Sequence, residues 1–110
     1  MTTPEGRVKA ALKKYLGLGT YWFMPVQTGY GATSLDFLVC LHGKFVGYEC
    51  KAPGKKLTPR QEHVARQIWA AGGSAFKVTL VNAELLFEPC GLTSTETSSL
   101  TTTPGAPNTP

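Results

Sequence analysis

Cysteine is scarce in this sequence, and long hydrophobic segments are absent. The three cysteines, Cys40, Cys50 and Cys90, are an odd number at wide spacing, so no disulfide framework is predicted. They form neither a C-x-x-C pair nor a Cys/His cluster of the kind that binds zinc, and free cysteines fit a reducing compartment. No apolar segment approaches the ~20 residues of a transmembrane helix, and the first residues lack the layout of a secretory signal. We therefore expect a cytoplasmic protein with no membrane partner.

Acidic residues are fewer than basic residues. The 110 residues include 11 Lys and Arg against 7 Asp and Glu, which gives a formal net charge of +4. This excess suits a polyanionic partner, because Lys and Arg contacts with phosphates supply much of non-specific nucleic-acid affinity. A solvated basic surface explains the charge equally well. The candidates for contact with nucleic acid are Lys13, Lys14, Lys55, Lys56 and Arg60.

Residues 3–17 have the pattern of an amphipathic helix. Thr3 suits the N-cap, Pro4 suits the first helical position, and Gly17 is expected to end the helix. Extending the apolar side of this helix from Val8 toward the N-terminus includes Glu5. Glu5 is therefore expected to face inward, at the positive end of the helix.

A second helix is predicted to begin at Thr58. Pro59 occupies its first position and Gln61 completes a capping box. Gln61 also lies on the apolar side of this helix, which Gly72 and Gly73 are expected to stop. The apolar side consists of Val64, Ala65, Ile68 and Gly72.

Four segments predict β-strands: 21–26, 35–41, 45–51 and 75–81. The second and third are separated by a short glycine-containing segment, so they are expected to form a hairpin. Residues 82–87 are expected to form one more helical turn. The order of elements predicts a single α/β domain.

The domain is expected to span residues 1–90. Residues 91–110 are predicted to be a disordered tail, since their Thr/Ser/Pro-rich composition cannot bury enough apolar area to order itself.

The residues that carry chemistry are Asp36 and the run Glu49-Cys50-Lys51. Strand residues alternate between faces, so Glu49 and Lys51 share one face and Cys50 points to the other. Asp36 opens the neighbouring strand, so its carboxylate is expected to converge on Glu49. Two carboxylates offer the hard oxygen ligands that Mg²⁺ and Mn²⁺ prefer. A bound ion would activate water for hydrolysis, and Lys51 would either orient the attacking water or stabilise the charge that develops on the phosphate.

Each of these residues also has a structural interpretation. An Asp opposite a Glu-x-Lys is more often a surface ion pair than a site. Gln61 as a capping partner bonds only backbone, and Glu5 favours the helix N-terminus electrostatically. Two observations favour a site: Glu49 and Lys51 interrupt an otherwise apolar strand, and Glu5 and Gln61 both face inward.

Residues 36–38 and 43–61 resemble the VRR-NUC domain, a family common in bacteriophages that belongs to the PD-(D/E)xK nuclease superfamily. The most specific part is E-C-K-A-P-G-K, residues 49–55, followed by T-P-R-Q, residues 58–61. This combination is far more informative than a lone E-x-K. The resemblance covers roughly residues 3–81.

The resemblance implies a small PD-(D/E)xK-like fold, with a central mixed β-sheet flanked by helices. It implies Mg²⁺- or Mn²⁺-dependent hydrolysis of DNA phosphodiester bonds. Asp36 and Glu49 would be catalytic metal ligands, and the backbone carbonyl of Cys50 would be an additional ligand. Lys51 corresponds to the catalytic lysine, and Gln61, which matches the glutamine of the second helix, is a further candidate catalytic residue.

Further expectations follow from the same resemblance. Glu5 matches an acid often found on the first helix and is a further candidate metal ligand. Stand-alone members are similar to Holliday-junction resolvases and tend to be homodimers, which would place two sites across a branched or flapped duplex. No small-molecule organic cofactor is implied. A phage-encoded member would act in the cytoplasm of a bacterial host.

The chain departs from the family pattern in the residues that precede Asp36, the first acid. Thr33-Ser34-Leu35-Asp36 stands where Gly-x-Pro-Asp is usual. Two alternatives therefore accompany the nuclease interpretation. One is a nucleic-acid-binding or phage interaction protein on the same fold with weak or no catalysis. The other is a plain α/β domain with a surface ion pair.

Overall fold

Two helices and five strands are arranged around one central sheet. The computed structural model describes residues 3–17, 19–25 and 34–92. The elements, in chain order, are α1 (Pro4–Leu16), β1 (Tyr21–Phe23), β2 (Phe37–Leu41), β3 (Lys44–Cys50), α2 (Pro59–Ala70), β4 (Ser74–Val81) and β5 (Glu84–Pro89). The α/β class predicted from the sequence is confirmed.

The sheet is mixed, with spatial order β1-β2-β3-β4-β5. The strands β3 and β4 are parallel because α2 connects them, whereas every other neighbouring pair is antiparallel. The predicted hairpin between β2 and β3 is confirmed. Its two turn residues, His42 and Gly43, have φ values of 50° and 78°, which matches the twist of a two-residue hairpin turn.

Both predicted helix starts are confirmed. The Thr3 hydroxyl accepts a hydrogen bond from the backbone N–H of Gly6 at 2.9 Å, and Gly17 is the C-cap of α1 with φ of 36°. In α2, Thr58 and Gln61 form the reciprocal capping box that the sequence predicted. These caps satisfy backbone donors that a helix start otherwise leaves open.

The two helices cover opposite faces of the sheet. The side chains of Val8, Leu12 and Leu16 on α1 pack in one core cluster with Val46 and Tyr48 of β3. On α2, Ala65 packs in a second cluster with Ala75 of β4 and with Leu35. Alternate strand residues point to opposite faces, so one strand, β3, sends Tyr48 and Cys50 toward α1 and Glu49 toward α2.

The expectation of a helical turn at residues 82–87 is wrong. Residues 84–89 are β5, which pairs antiparallel with β4 through the register Val81–Glu84 to Phe76–Pro89. Asn82 and Ala83 form the turn with φ values of 52° and 65°. Alternation explains the difference, because Leu85 and Phe87 pack against the α1-side core while Leu86 is exposed. That period of two belongs to a strand.

Replacing Ala83 by glycine is expected to stabilise the domain. A residue with a Cβ costs roughly 1–2 kcal/mol in the left-handed region, and glycine removes this cost while adding some entropy to the unfolded chain. The net gain is about 0.5–1 kcal/mol, measured as the free energy of unfolding in urea. Ala10→Gly, in the interior of α1, is the control and should destabilise by about 1 kcal/mol. Destabilisation by both substitutions would contradict the turn assignment.

The structure continues past the predicted domain boundary at residue 90. Gly91 is buried, and a Cβ placed on it would lie 2.5 Å from Ala65 Cβ, so this residue packs against α2. The predicted tail from residue 93 onward, and residues 26–33 before Asp36, lie outside the described residues. No helix among the described residues is long and apolar enough to cross a bilayer.

Candidate active site

Asp36 and Glu49 lie opposite each other at one end of the β2–β3 hairpin. The paired register ends at Phe37 and Tyr48, and one further step along both strands reaches the two acids. The backbone N–H of Asp36 donates to Glu49 Oε1 at 3.2 Å, and the backbone N–H of Cys50 donates to Asp36 Oδ2 at 3.1 Å. Each carboxylate is therefore fixed by the backbone of the opposite strand.

Glu49 is almost completely buried, with 3% of its surface exposed. Its second oxygen, Oε2, accepts a hydrogen bond from Gln61 Nε2 at 3.1 Å. The same oxygen lies 3.8 Å from the Lys51 ammonium nitrogen. Both Glu49 oxygens thus have polar partners, as a buried carboxylate requires. The sequence-predicted residues Asp36, Glu49, Lys51 and Gln61 form one connected group.

Gln61 caps α2 and also contacts Glu49. Its Oε1 accepts from the backbone N–H of Thr58 at 2.9 Å, while its own backbone N–H donates to the Thr58 hydroxyl at 3.2 Å. Its remaining amide group, Nε2, is therefore oriented toward Glu49. The capping box does not compete with the contact to Glu49, because it fixes the amide in the orientation that this contact needs.

The electrostatic environment of Glu49 is unusual for an acid. Burial raises the pKa of Glu49 to about 8, and the charge of Asp36 acts in the same direction, against the opposing effect of Lys51. Burial also raises the pKa of the Cys50 thiol to about 12, with Asp36 and Glu49 acting in the same direction. The Cys50 side chain is therefore a neutral thiol in the α1-side core. Two neighbouring carboxyl groups, one of them strongly desolvated, thus share this site with the Lys51 ammonium.

Glu5 reaches this site through Lys9. The Lys9 ammonium lies 3.4 Å from Glu5 Oε2 and 3.8 Å from Asp36 Oδ1. Burial lowers the pKa of Lys9, but the charges of Asp36 and Glu5 outweigh it and raise the pKa overall. Lys9 was not singled out from the sequence. The sequence does contain a signal for Lys9, since a residue four positions after an inward-facing Glu5 lies on the same side of the helix.

The predicted nucleic-acid contacts are all exposed and fall into two places. Lys55, Lys56 and Arg60 lie in the segment between β3 and α2 or in the first turn of α2, shortly after Lys51. The other two residues, Lys13 and Lys14, are in the last turn of α1. Helical rise places them about 6 Å or more beyond Lys9 along the axis.

Lys77 fixes the segment that carries this first basic group. It is paired with Glu49 in the parallel β3–β4 register, but its ammonium donates to the Lys55 carbonyl at 3.2 Å and lies 3.7 Å from Glu88 Oε1. This contact was not predicted from the sequence either. The register of parallel strands on either side of a helix is not encoded in local sequence, so no sequence signal pointed to it.

The residues present fit a divalent metal ion of the magnesium type. Within residues 3–17, 19–25 and 34–92, no group of three or more His, Cys, Asp or Glu side chains is arranged to hold a metal. Magnesium needs fewer protein ligands, because it usually binds one or two carboxylates together with water and substrate phosphate. Asp36 and Glu49 offer that donor set, and their mutual repulsion favours a cation between them.

No protein-family model matches the chain, and no curated protein matches it. The family resemblance therefore rests on the motif residues themselves, most of all on residues 49–55 and 58–61.

Proposed function

We propose that this protein is a metal-dependent nuclease of the VRR-NUC type, with a PD-(D/E)xK fold, that hydrolyses DNA phosphodiester bonds. The observation that carries the proposal is the environment of Glu49. A carboxylate that is 3% exposed contacts the backbone of a second acid, a lysine and a glutamine. A surface ion pair would be exposed and would not need several elements to assemble it.

Burial separates the active-site interpretation from the ion-pair interpretation. Removing a carboxylate from water is costly, and a second carboxylate beside it increases the cost. Proteins retain such arrangements mostly where the perturbed groups serve binding or catalysis. Two lysines, Lys9 and Lys51, face three acids, Glu5, Asp36 and Glu49, so the group is suited to receiving a further cation.

Each residue of the group has a role in this proposal. A bound Mg²⁺ or Mn²⁺, held by Asp36 and Glu49 with the Cys50 carbonyl as a further candidate ligand, would polarise the phosphate and lower the pKa of water. The Lys51 ammonium would stabilise negative charge that develops on the phosphate. Gln61 orients the Glu49 carboxylate and connects it to the start of α2.

The surroundings of the acids suit a polyanionic substrate. Both helices begin near the site, since Gln61 in the first turn of α2 contacts Glu49, and Lys9 near the start of α1 contacts Asp36. Helix N-termini carry partial positive charge and bind phosphate. Lys55, Lys56 and Arg60 extend the positive charge from this point, which favours DNA over a neutral substrate. Branched or flapped DNA is the substrate class that we propose.

A homodimer is part of the proposal, and one surface supports it. No element in the described ranges, 3–17, 19–25 and 34–92, covers the α2 side of β1, β2 and the start of β3, and we call this surface the apolar face. Its residues include Tyr21, Phe23, Leu38, Cys40, Phe45, Val64, Ile68 and Ala71. None of these carries a charge, whereas the whole chain carries a net charge of +4, so a second copy can pack there without bringing like charges together.

The exposed aromatic rings of the apolar face supply part of the area that an interface needs. Tyr21, Phe23 and Phe45 are 72%, 47% and 48% exposed, and their rings alone present roughly 300 Å². A stable interface needs about 800 Å² per partner, with aromatic residues at an uncharged centre.

Tyr21→Glu is expected to make the protein monomeric at concentrations where the wild type is dimeric. Charge at the centre of an apolar interface is left unpaired when the two copies meet. Sedimentation equilibrium measures the change. Tyr15→Glu is the matched control, because Tyr15 is also an exposed tyrosine but lies on α1. A wild-type monomer at every concentration, or an effect of Tyr15→Glu alone, would contradict an interface at the apolar face.

The nuclease proposal is tested by cleavage of labelled DNA. The substrates are linear duplex, single strand, flap and four-way junction, each with Mn²⁺, with Mg²⁺ and with EDTA. We expect cleavage only with a divalent ion, and loss of cleavage in Glu49→Ala and Lys51→Ala. The proposal fails if the wild type cleaves none of these substrates, or if both variants cleave at the wild-type rate.

A binding protein without catalysis is the second candidate. The unusual Thr33-Ser34-Leu35 sequence before Asp36 favours it, because the entry of the first acid differs from the family pattern. The same assay separates the two candidates. A binding protein retards DNA in a gel with or without metal and releases no product.

A further inference from the structure

The Lys9 ammonium lies between two carboxylates that belong to different elements. It is 3.4 Å from Glu5 Oε2 on α1 and 3.8 Å from Asp36 Oδ1 at the entry to β2. The other Asp36 oxygen, Oδ2, accepts the Cys50 backbone N–H. Asp36 is therefore approached from two sides, by Lys9 at one oxygen and by the β3 backbone at the other.

This position is unlike that of an ordinary surface lysine. The Asp36 side chain is only 15% exposed and the Lys9 side chain 30% exposed, so the pair is partly shielded from water and salt. Glu5 and Lys9 are one helical turn apart, which keeps the ammonium beside Glu5 while it reaches Asp36. The Lys9 ammonium thus places one positive charge between an acid on α1 and the acid that precedes β2.

We propose that Lys9 acts as a built-in cation that excludes a second divalent ion, so that the site binds a single metal ion between Asp36 and Glu49. This inference rests on the proposed function, because it assumes that the acid pair binds metal. It makes Lys9 a positioning residue, which holds Asp36 through one oxygen. It also means that Glu5 is a partner of Lys9 and not a metal ligand in the wild type.

The physical reason is local charge. Metal ions in two-metal sites lie about 3.5–4 Å apart and share carboxylate ligands. An ammonium beside both Glu5 and Asp36 repels a dication from that place and engages one oxygen of each acid. Removing the ammonium charge leaves Glu5 and Asp36 without their shared cation, and two carboxylates without a cation favour metal binding.

The consequence is a change in metal stoichiometry. Lys9→Met keeps the length of the side chain and removes its charge, so we expect it to bind two Mn²⁺ ions per chain where the wild type binds one. Lys9→Arg retains the charge and is expected to bind one ion. The double variant Glu5→Gln/Lys9→Met lacks the acid that would hold the second ion, so it is also expected to bind one.

The experiment is titration with Mn²⁺ in the absence of DNA. Isothermal calorimetry gives the stoichiometry, and the paramagnetic resonance signal of free Mn²⁺ gives an independent count. Lys13→Met is the matched control, because Lys13 is an exposed lysine one turn further along α1, and it should bind one ion. Circular dichroism and thermal melting establish that each variant is folded.

Each outcome decides the inference. One ion in the wild type, Lys9→Arg and Lys13→Met, with two in Lys9→Met, supports it. Two ions in the wild type, or one ion in Lys9→Met, overturns it while leaving the nuclease proposal intact. A wild type that binds no Mn²⁺ and also cleaves no DNA removes the proposed function, and this inference with it. Because the readout is stoichiometry, a purely structural role of Lys9 does not reproduce the expected pattern.

Discussion

Asp36→Asn is expected to raise the melting temperature of the metal-free protein at pH 8 and to abolish metal-dependent cleavage. The two effects have opposite signs because, without metal, the acid pair lowers the stability of the folded protein. Burial and the charge of Asp36 raise the pKa of Glu49 to about 8. Removing that charge relieves the repulsion, while the side-chain oxygen of the introduced asparagine can still accept the Cys50 N–H. Loss of a metal ligand should lower the cleavage rate on the order of 10³-fold or more.

The same pair makes the stability of the metal-free wild type depend on pH. The pKa of Glu49 is about 8 in the folded protein against an ordinary value of 4.5, so the folded state retains a proton that the unfolded state has lost between these pH values. The free energy of unfolding therefore falls as pH rises from about 4.5 to about 8. A decrease of at most about 5 kcal/mol is expected for the wild type, with a smaller decrease for Asp36→Asn.

Glu88→Gln is the control for Asp36→Asn. Glu88 forms an ion pair with Lys77 in which its side chain is 52% exposed, so its removal should change stability by less than about 0.5 kcal/mol. Urea unfolding with EDTA across the pH range measures both variants. If Asp36→Asn destabilises the metal-free protein at pH 8, or if the wild type gains stability as pH rises through this window, the proposed repulsion between the two acids is wrong.

Lys51→Met is expected to lower the cleavage rate by about 10²–10⁴-fold without preventing Mn²⁺ binding. The methionine keeps the volume of the lysine stem but cannot stabilise negative charge on the phosphate. Lys51 also lowers the pKa of Glu49, so its loss favours the protonated acid. Single-turnover rates should therefore be compared at about pH 9, above the raised pKa of Glu49, where this indirect effect is smallest.

Lys77→Met is the matched control for Lys51→Met. Lys77 is the neighbour of Glu49 on the adjacent strand, but its ammonium contacts the Lys55 carbonyl and Glu88. We expect a loss of rate below about 10-fold, roughly the size of one neutral contact, and a weaker affinity for DNA. Equal losses in the two variants would mean that positive charge in this region matters and that Lys51 has no specific role.

Much of the fold could be predicted from local sequence. Thr3-Pro4 and Thr58-Pro59 located both helix starts, and the short segment after Leu41 located the β2–β3 hairpin. That hairpin brought Asp36 beside Glu49, because antiparallel register is fixed by a two-residue turn. The part of the site that depends on one hairpin was therefore accessible from sequence.

The other parts of the fold and of the candidate site depend on contacts between elements that are distant in the sequence. The position of Lys9 beside Asp36 requires the docking of α1 against the sheet, and the position of Lys77 requires the parallel register of β3 and β4. The β5 strand was mistaken for a helical turn because Ala83 is an unusual residue at positive φ, which hid the hairpin turn. The burial of Glu49, which carries the functional proposal, is likewise a property of the assembled layers.

Binding of a catalytic divalent ion by Asp36 and Glu49 is best tested by a crystal structure of the protein with Mn²⁺. Anomalous scattering locates manganese independently of the protein atoms. We expect a single strong peak about 2.0–2.2 Å from oxygens of both Asp36 and Glu49, the usual length of such bonds, with Lys9 still beside Glu5. A fully occupied manganese elsewhere, with none between these two acids, would contradict the proposed metal site.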